Sequence, residues 1–190
     1  VPKISAGSVA AHREQVRARV LEAFAELMGE HSYDAVTMAA IAEHAQLGRT
    51  AIYHHFPDKE SVVVAFATAE TSRYVEELRA LLDREDDPAR RLATYVRHHL
   101  EAGARFHMGL GPQLYGVLPA SSAVAIREHV VAVEQVLRAI LLDGAARGAF
   151  VVEDVAATTA LVHACLTPRH LPARTIERFV LRAVGAAGPG

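Results

Sequence analysis

Two kinds of chemistry are within reach of the side chains in this chain, and the first is metal binding. Eleven histidines are present, and His98, His99, Glu101 and His107 fall close together. A helix that binds zinc sets its ligands one turn apart so that two nitrogens reach one ion. No two histidines here are four apart, Gly103 stands where a partner for His99 would be needed, and the single Cys165 leaves no thiolate cluster. No metal and no cofactor are therefore assigned. Catalytic constellations are missing too: the chain has no Gly-x-Ser-x-Gly elbow, no His-Glu-x-x-His pair and no glycine-rich loop ending in Lys-Ser or Lys-Thr. It reads as a non-enzyme, with an enzyme built on scattered histidines and carboxylates as the alternative that turnover of a ligand would favour. Cys165, between Ala164 and Leu166, reads as an inert core thiol.

The second chemistry is recognition of DNA. Residues 37–56, TMAAIAEHAQLGRTAIYHHF, read as a helix of about two turns, a tight connection and a second short helix, the arrangement of a helix-turn-helix. Ile41, Ala45, Leu47, Ile52 and Phe56 fall where they can pack inward, while small Ala39 and Ala40 leave room for close approach to a duplex. On the second helix Arg49, Thr50, Tyr53 and His54 share the face opposite Ile52 and Phe56. That face is the expected reader. Arg13 and Arg17, one turn apart on the preceding helix, favour DNA contact over a module whose helix-turn-helix only packs.

With these residues in place, the stretch from Val20 to Glu60 resembles the DNA-binding region of the tetracycline-repressor family. The family's Ile-Leu-x-Ala entry corresponds to Val20, Leu21 and Ala23, its Gly-Tyr corner to Ser32 and Tyr33, and its Thr cap to Thr37. Its Ile-Ala pair is matched by Ile41 and Ala42. Its Leu-Tyr-x-His-Phe recognition helix with Lys-Glu is matched by Ile52, Tyr53, His54, His55, Phe56, Lys59 and Glu60. Three positions depart: Ser32 and Gln46 stand where glycine is usual, and Gly48 where Ser or Thr caps the second helix. A side chain in a left-handed turn costs about 1 kcal/mol, and glycine in place of a serine cap a few tenths. The resemblance implies that Arg49, Thr50 and Tyr53 face base edges or thymine methyls, and that Thr37, His55 and Lys59 face phosphates. Arginine can bond guanine O6 and N7 together, whereas lysine near a helix N-terminus is a point charge suited to phosphate.

Composition sets the frame that must hold these groups. At 190 residues with half of them hydrophobic and no Trp, the chain can bury an aliphatic core. The net charge of -2 gives no bulk attraction to nucleic acid, and the first 60 residues hold six Lys and Arg against eight carboxylates, so placement of charge must make the footprint. No apolar run is long enough to span a bilayer, and the lone cysteine can form no internal disulfide, so the expected place is the cytoplasm without membrane contact. The start at Val1, without a charged-then-apolar leader, reads as a trimmed start, and the first eight residues as a mobile arm.

Helical periodicity runs nearly throughout, broken by one strand-like run, Phe150 to Val152, so the expected fold is all-α: a three-helix domain over 9–58 and a larger ligand-binding and dimerisation domain over 59–187. A first helix over 9–30 buries Val16, Val20, Ala23, Phe24, Leu27 and Met28. Asp58, Asp87, Ser121 or Ser122, and Asp154 are expected N-caps for the later helices, Gln113–Leu118 is a shorter segment, and a last helix covers 175–184. In the larger domain Tyr95, His99, Phe106, Tyr115, His129, Val133 and His163 are candidates to line a mostly apolar effector site with polar tips. The last two helices carry Val155, Thr159, Val162 and Leu166, then Ile176, Phe179, Val180 and Ala183, as an expected four-helix seam between two copies. The partners so expected are a double-stranded DNA operator, a second copy of the chain, and a small-molecule effector. A constitutive DNA-binding or interaction module without effector is the alternative.

Overall fold

The structure, a computed structural model, describes the backbone of residues 6–105, 120–167 and 171–186, and within them the side chains of 9–102, 131–167 and 171–186. Eight helices and no strand occur among the described residues: α1 (Ala6–Glu30), α2 (Met38–His44), α3 (Arg49–His55), α4 (Lys59–Leu82), α5 (Pro88–Arg105), α6 (Ala120–Ala146), α7 (Val155–Leu166) and α8 (Ala173–Ala183). A single 3-10 turn, Tyr33–Ala35, links α1 to α2. Contacts divide the chain into two compact units. The described part of the first runs to Ala69 and includes the start of α6 through Ile126; the second begins at Glu70 and resumes at Arg127. The division between these units falls inside α4, whose Val62, Val63 and Phe66 are buried.

In the first unit the predicted face of α1 is the buried one: Val16, Val20, Ala23, Phe24, Leu27 and Met28 all lie inside. Phe24 meets Phe66 of α4 edge to face, with ring centroids 5.3 Å apart. Helix α1 starts at Ala6, so residues 6–8 of the expected arm are helical, and residues 1–5 lie outside the described residues.

In the second unit one continuous core gathers Tyr74, Leu78 and Leu82 of α4, Leu92, Tyr95 and Val96 of α5, Leu137, Ile140 and Leu141 of α6, Val162 and Leu166 of α7, and Ile176, Val180 and Leu181 of α8. Local chemistry sets the helix starts. Asp58 Oδ1 accepts from Ser61 N at 2.7 Å, Asp87 accepts from Ala89 N and Arg90 N, and Asp154 Oδ1 accepts from Ala156 N and Ala157 N at 2.8 and 3.0 Å. Ser121 and Ser122 are not caps, since α6 already begins at Ala120. The strand-like run is irregular chain, tied down by Val151 N donating to Val184 O at 2.8 Å. Gln113–Leu118 lies outside the described residues.

Candidate nucleic-acid interface

The helix-turn-helix is built from its turn outward. Thr37 caps α2 by accepting a hydrogen bond from Ala40 N at 3.1 Å, which leaves its hydroxyl proton free to donate. At the other end of α2, Gln46 N donates to Glu43 O at 3.0 Å and Leu47 N to Ala42 O at 2.8 Å, a Schellman turn that requires a left-handed residue between them. Gln46 fills that place with φ 54°, the only non-glycine residue with positive φ among those described. Ser32, by contrast, sits at φ -70° and carries no such cost, and Gly48 caps α3 at φ -65° in an ordinary extended conformation. Of the three departures from the family pattern, only Gln46 is strained.

Helix α3 divides into two faces as its sequence predicts. Ile52 and the following Phe56 are wholly buried, while Arg49, Thr50, Tyr53 and His54 are exposed, Tyr53 by 47%. The Schellman turn sets the angle at which this short helix leaves α2, and Ile52 and Phe56 lock it against α1. Ala39 on α2 is exposed and Ala40 half-buried, so no large side chain of that helix's start crowds the approach.

Three cations differ in what they do. Arg17 is not free to reach a duplex: its Nη1 donates to the carbonyl of His55, the last residue of α3, at 3.1 Å, and its guanidinium lies 4.4 Å from the centre of the Phe56 ring. It anchors the end of the reader helix instead. Lys59 is also engaged, with Nζ donating to Tyr33 O at 2.9 Å and Val36 O at 2.8 Å and lying 4.0 Å from the Tyr33 ring centre. It satisfies the carbonyls of the 3-10 turn ahead of α2, so it is not the isolated point charge that sequence alone suggested. Burial first, and then the carboxylates of Glu60, Asp34 and Asp58, push the Tyr33 phenol upward. Arg49 alone among the three has no carbonyl or carboxylate partner among the described residues. His55 is half-buried beside Arg13, Arg17 and His12 of α1 and His54 of α3; burial and then these charges hold its imidazole below the usual histidine range. The part played by His12 was not read from sequence, because nothing local signals that α1 and the end of α3 meet.

A second cluster lies in the other unit. Tyr95 Oη and His163 Nε2 are 2.8 Å apart, Tyr74 Oη and His99 Nδ1 are 3.1 Å apart, and the His99 and His163 rings are 6.1 Å apart. Glu134 Oε1 stands 4.0 Å from His163 Nδ1. Burial drives both tyrosines upward, with Tyr74 and Glu134 adding to Tyr95, and drives His163 downward against the opposing pull of Glu134. Burial thus favours the neutral forms of Tyr74, Tyr95 and His163. Tyr95, His99 and His163 of the predicted effector set are brought together, and Val133 joins the same core. Phe106, Tyr115 and the side chain of His129 lie outside the described residues. His98 is buried with its ring 4.8 Å from that of Tyr74, and no group of three or more metal-ligating side chains occurs among the described residues.

The predicted dimer seam is corrected. Thr159, Val162, Leu166, Ile176 and Val180 are buried in the core of their own unit and Val155 packs against it, so these residues cannot meet a second copy. Phe179 and Ala183 face out, with Phe179 59% exposed, and Leu161, 67% exposed, joins them from α7. No described helix is long and apolar enough to cross a membrane.

Residues 20–66 match the family model for bacterial regulatory proteins of the tetR family. A helix-turn-helix transcriptional repressor of Mycobacterium tuberculosis is 34% identical over 73 residues, which are 38% of this chain and 37% of that protein. The chain thus matches little more than a third of that repressor's length. Among solved structures, the regulator RolR in complex with resorcinol superposes with a TM-score of 0.63 at 26% identity, covering 93% of this chain and 91% of RolR. A TetR transcription regulator from Haloarcula marismortui gives a TM-score of 0.76 at 16% identity, covering 90% and 97%.

Proposed function

From the match of residues 20–66 to the model for bacterial regulatory proteins of the tetR family, we propose that the chain is a member of that family and a ligand-responsive transcriptional repressor rather than an enzyme. The observation that carries this reading is the division of α3: Ile52 and Phe56 are sunk in the core while Arg49, Thr50, Tyr53 and His54 stand in solvent. On this reading Arg49, Thr50 and Tyr53 read base edges in the major groove, Arg49 pairing with guanine. Thr37 donates its remaining hydroxyl proton to a phosphate, beside His55 and the remaining proton of Lys59. Two copies, joined through the outward faces of α7 and α8 around Leu161 and Phe179, present two readers to a pseudo-palindromic operator.

The effector reading rests on the cluster of Tyr95, His99 and His163, polar tips held among aliphatic residues in the second unit. RolR, with resorcinol bound, supports a small-molecule role for a chain of this fold. A modest, largely apolar molecule oriented by these tips acts as inducer if it favours the arrangement of readers unsuited to DNA. A coupling of about 1–3 kcal/mol would lower operator affinity roughly 5- to 150-fold, and by linkage DNA would weaken ligand binding equally. The deciding experiment is selection of bound duplexes from a random pool. Enrichment of an inverted repeat is expected, and a pool that stays random after several rounds would refute sequence-specific recognition.

A further inference from the structure

The charges that act on His55 are all of one sign. From α1 they are Arg13, Arg17 and His12, and from α3 itself His54; no carboxylate is among them. Arg17 is already committed to the His55 carbonyl and the Phe56 ring. The His55 ring is half-buried, and its enclosed Nδ1 has no hydrogen-bond partner among the described residues. His12, Arg13 and His54 are exposed around it. The chain carries net charge -2, so this grouping of basic side chains is made by folding and not by composition; Glu14, Asp58 and Glu60 line the groove beside Arg17.

Such a patch has an unfilled requirement. Without a counter-anion the His55 imidazole is held below the usual histidine range, by burial and then by the arginines and imidazoles around it. A DNA phosphate brings the missing negative charge. We propose that His12 and Arg13 of α1 with His54 and His55 of α3 form one phosphate-binding patch beside the base-reading face, and that seating a DNA phosphate there draws protons onto its histidines. DNA binding is then proton-coupled. This rests on the DNA-binding reading above and adds to it a regulation by pH, with the phosphodiester backbone as the ligand.

The sign follows from linkage. A bound phosphate favours the protonated form of an imidazole beside it, and free His55 is held below the usual histidine range, so binding takes up protons and affinity falls as pH rises. Each proton taken up contributes at most about a tenfold loss of affinity per pH unit. Each histidine charged against a phosphate also adds a released counterion, so the salt dependence should be steeper at pH 6 than at pH 8.

The test uses the full chain and a random-sequence 30-base-pair duplex, titrated by fluorescence anisotropy from pH 6 to 8 at several salt concentrations. Affinity is expected to fall severalfold per pH unit, with the salt slope shrinking alongside. His55→Gln, His12→Gln and His54→Gln should each flatten the pH profile. His31→Gln, about 28 Å along α1 from His12 by helical rise, should follow the unaltered protein. His12 and His54 are exposed, so their variants report even if His55→Gln disturbs folding. Binding that ignores pH, or a slope unchanged in all three patch variants, overturns the inference and leaves the DNA-binding reading intact. Failure to bind any duplex at any pH overturns both.

Discussion

Arg49 and Lys59 are both cations of the helix-turn-helix region, and the structure separates them by what each already holds. The Arg49 guanidinium stands exposed at the first turn of α3, where a bidentate contact with guanine is open to it. Arg49→Ala should weaken binding to a selected duplex by about 1–3 kcal/mol and relax preference at one symmetric pair of positions. Titrations against the selected duplex and a scrambled one check this, and equal losses on both would remove Arg49 from the readers. Lys59 instead holds the Tyr33 and Val36 carbonyls. Lys59→Met should therefore cost stability of about 1–2 kcal/mol, less than for a fully buried charged donor, besides weakening all sequences alike. A urea midpoint unchanged from the parent would contradict the carbonyl-holding role. That Lys59 is already bonded is not legible in the sequence, since it depends on where the 3-10 turn at Tyr33–Ala35 places its carbonyls.

Helix ends were legible wherever one residue decides them. Asp58, Asp87 and Asp154 cap as their side-chain oxygens predict, whereas Ser121 and Ser122 were chosen by the same rule and lie inside α6. Schellman turns close α2, α6 and α8, with Gly148 at φ 69° and Gly185 at φ 71° in the latter two and Gln46 in the first. Gln46→Gly relieves the left-handed cost but loosens the unfolded chain, for a net gain of about 0.5–1 kcal/mol. A lower denaturation midpoint for that variant would show that the Gln46 side chain contributes something its conformation does not reveal. Gly144 is a different case, because a Cβ there would overlap the Phe150 ring. Gly144→Ala should destabilise by about 1–3 kcal/mol through overpacking, and a midpoint equal to the parent's would mean that the ring moves aside freely. The inward face of α7 was misread for a physical reason. Ala156, Ala157, Ala160, Leu161 and Ala164 make its exposed side nearly as apolar as the side that carries Val162 and Leu166, so periodicity does not choose between them.

At the level of the whole molecule, that exposed side is where two copies are expected to meet. Phe179→Asp should convert dimers to monomers without unfolding them, because Phe179 stands outside the core of its own chain. Light scattering and circular dichroism together check it, and a stable dimer after both Phe179→Asp and Leu161→Asp would place the seam elsewhere. The first unit bears on how such a dimer would be switched. Arg17 pins the last carbonyl of α3 to α1, Lys59 pins the entry to α2 onto the start of α4, and Phe24 and Phe66 close the space between. Bracing of this kind leaves little slack for the reader to be re-aimed by small adjustments of its own, so under the proposed induction α2 and α3 should stay intact. The operator would then be released by a change in the spacing of two intact heads, with amide hydrogen exchange in α2 and α3 the same before and after.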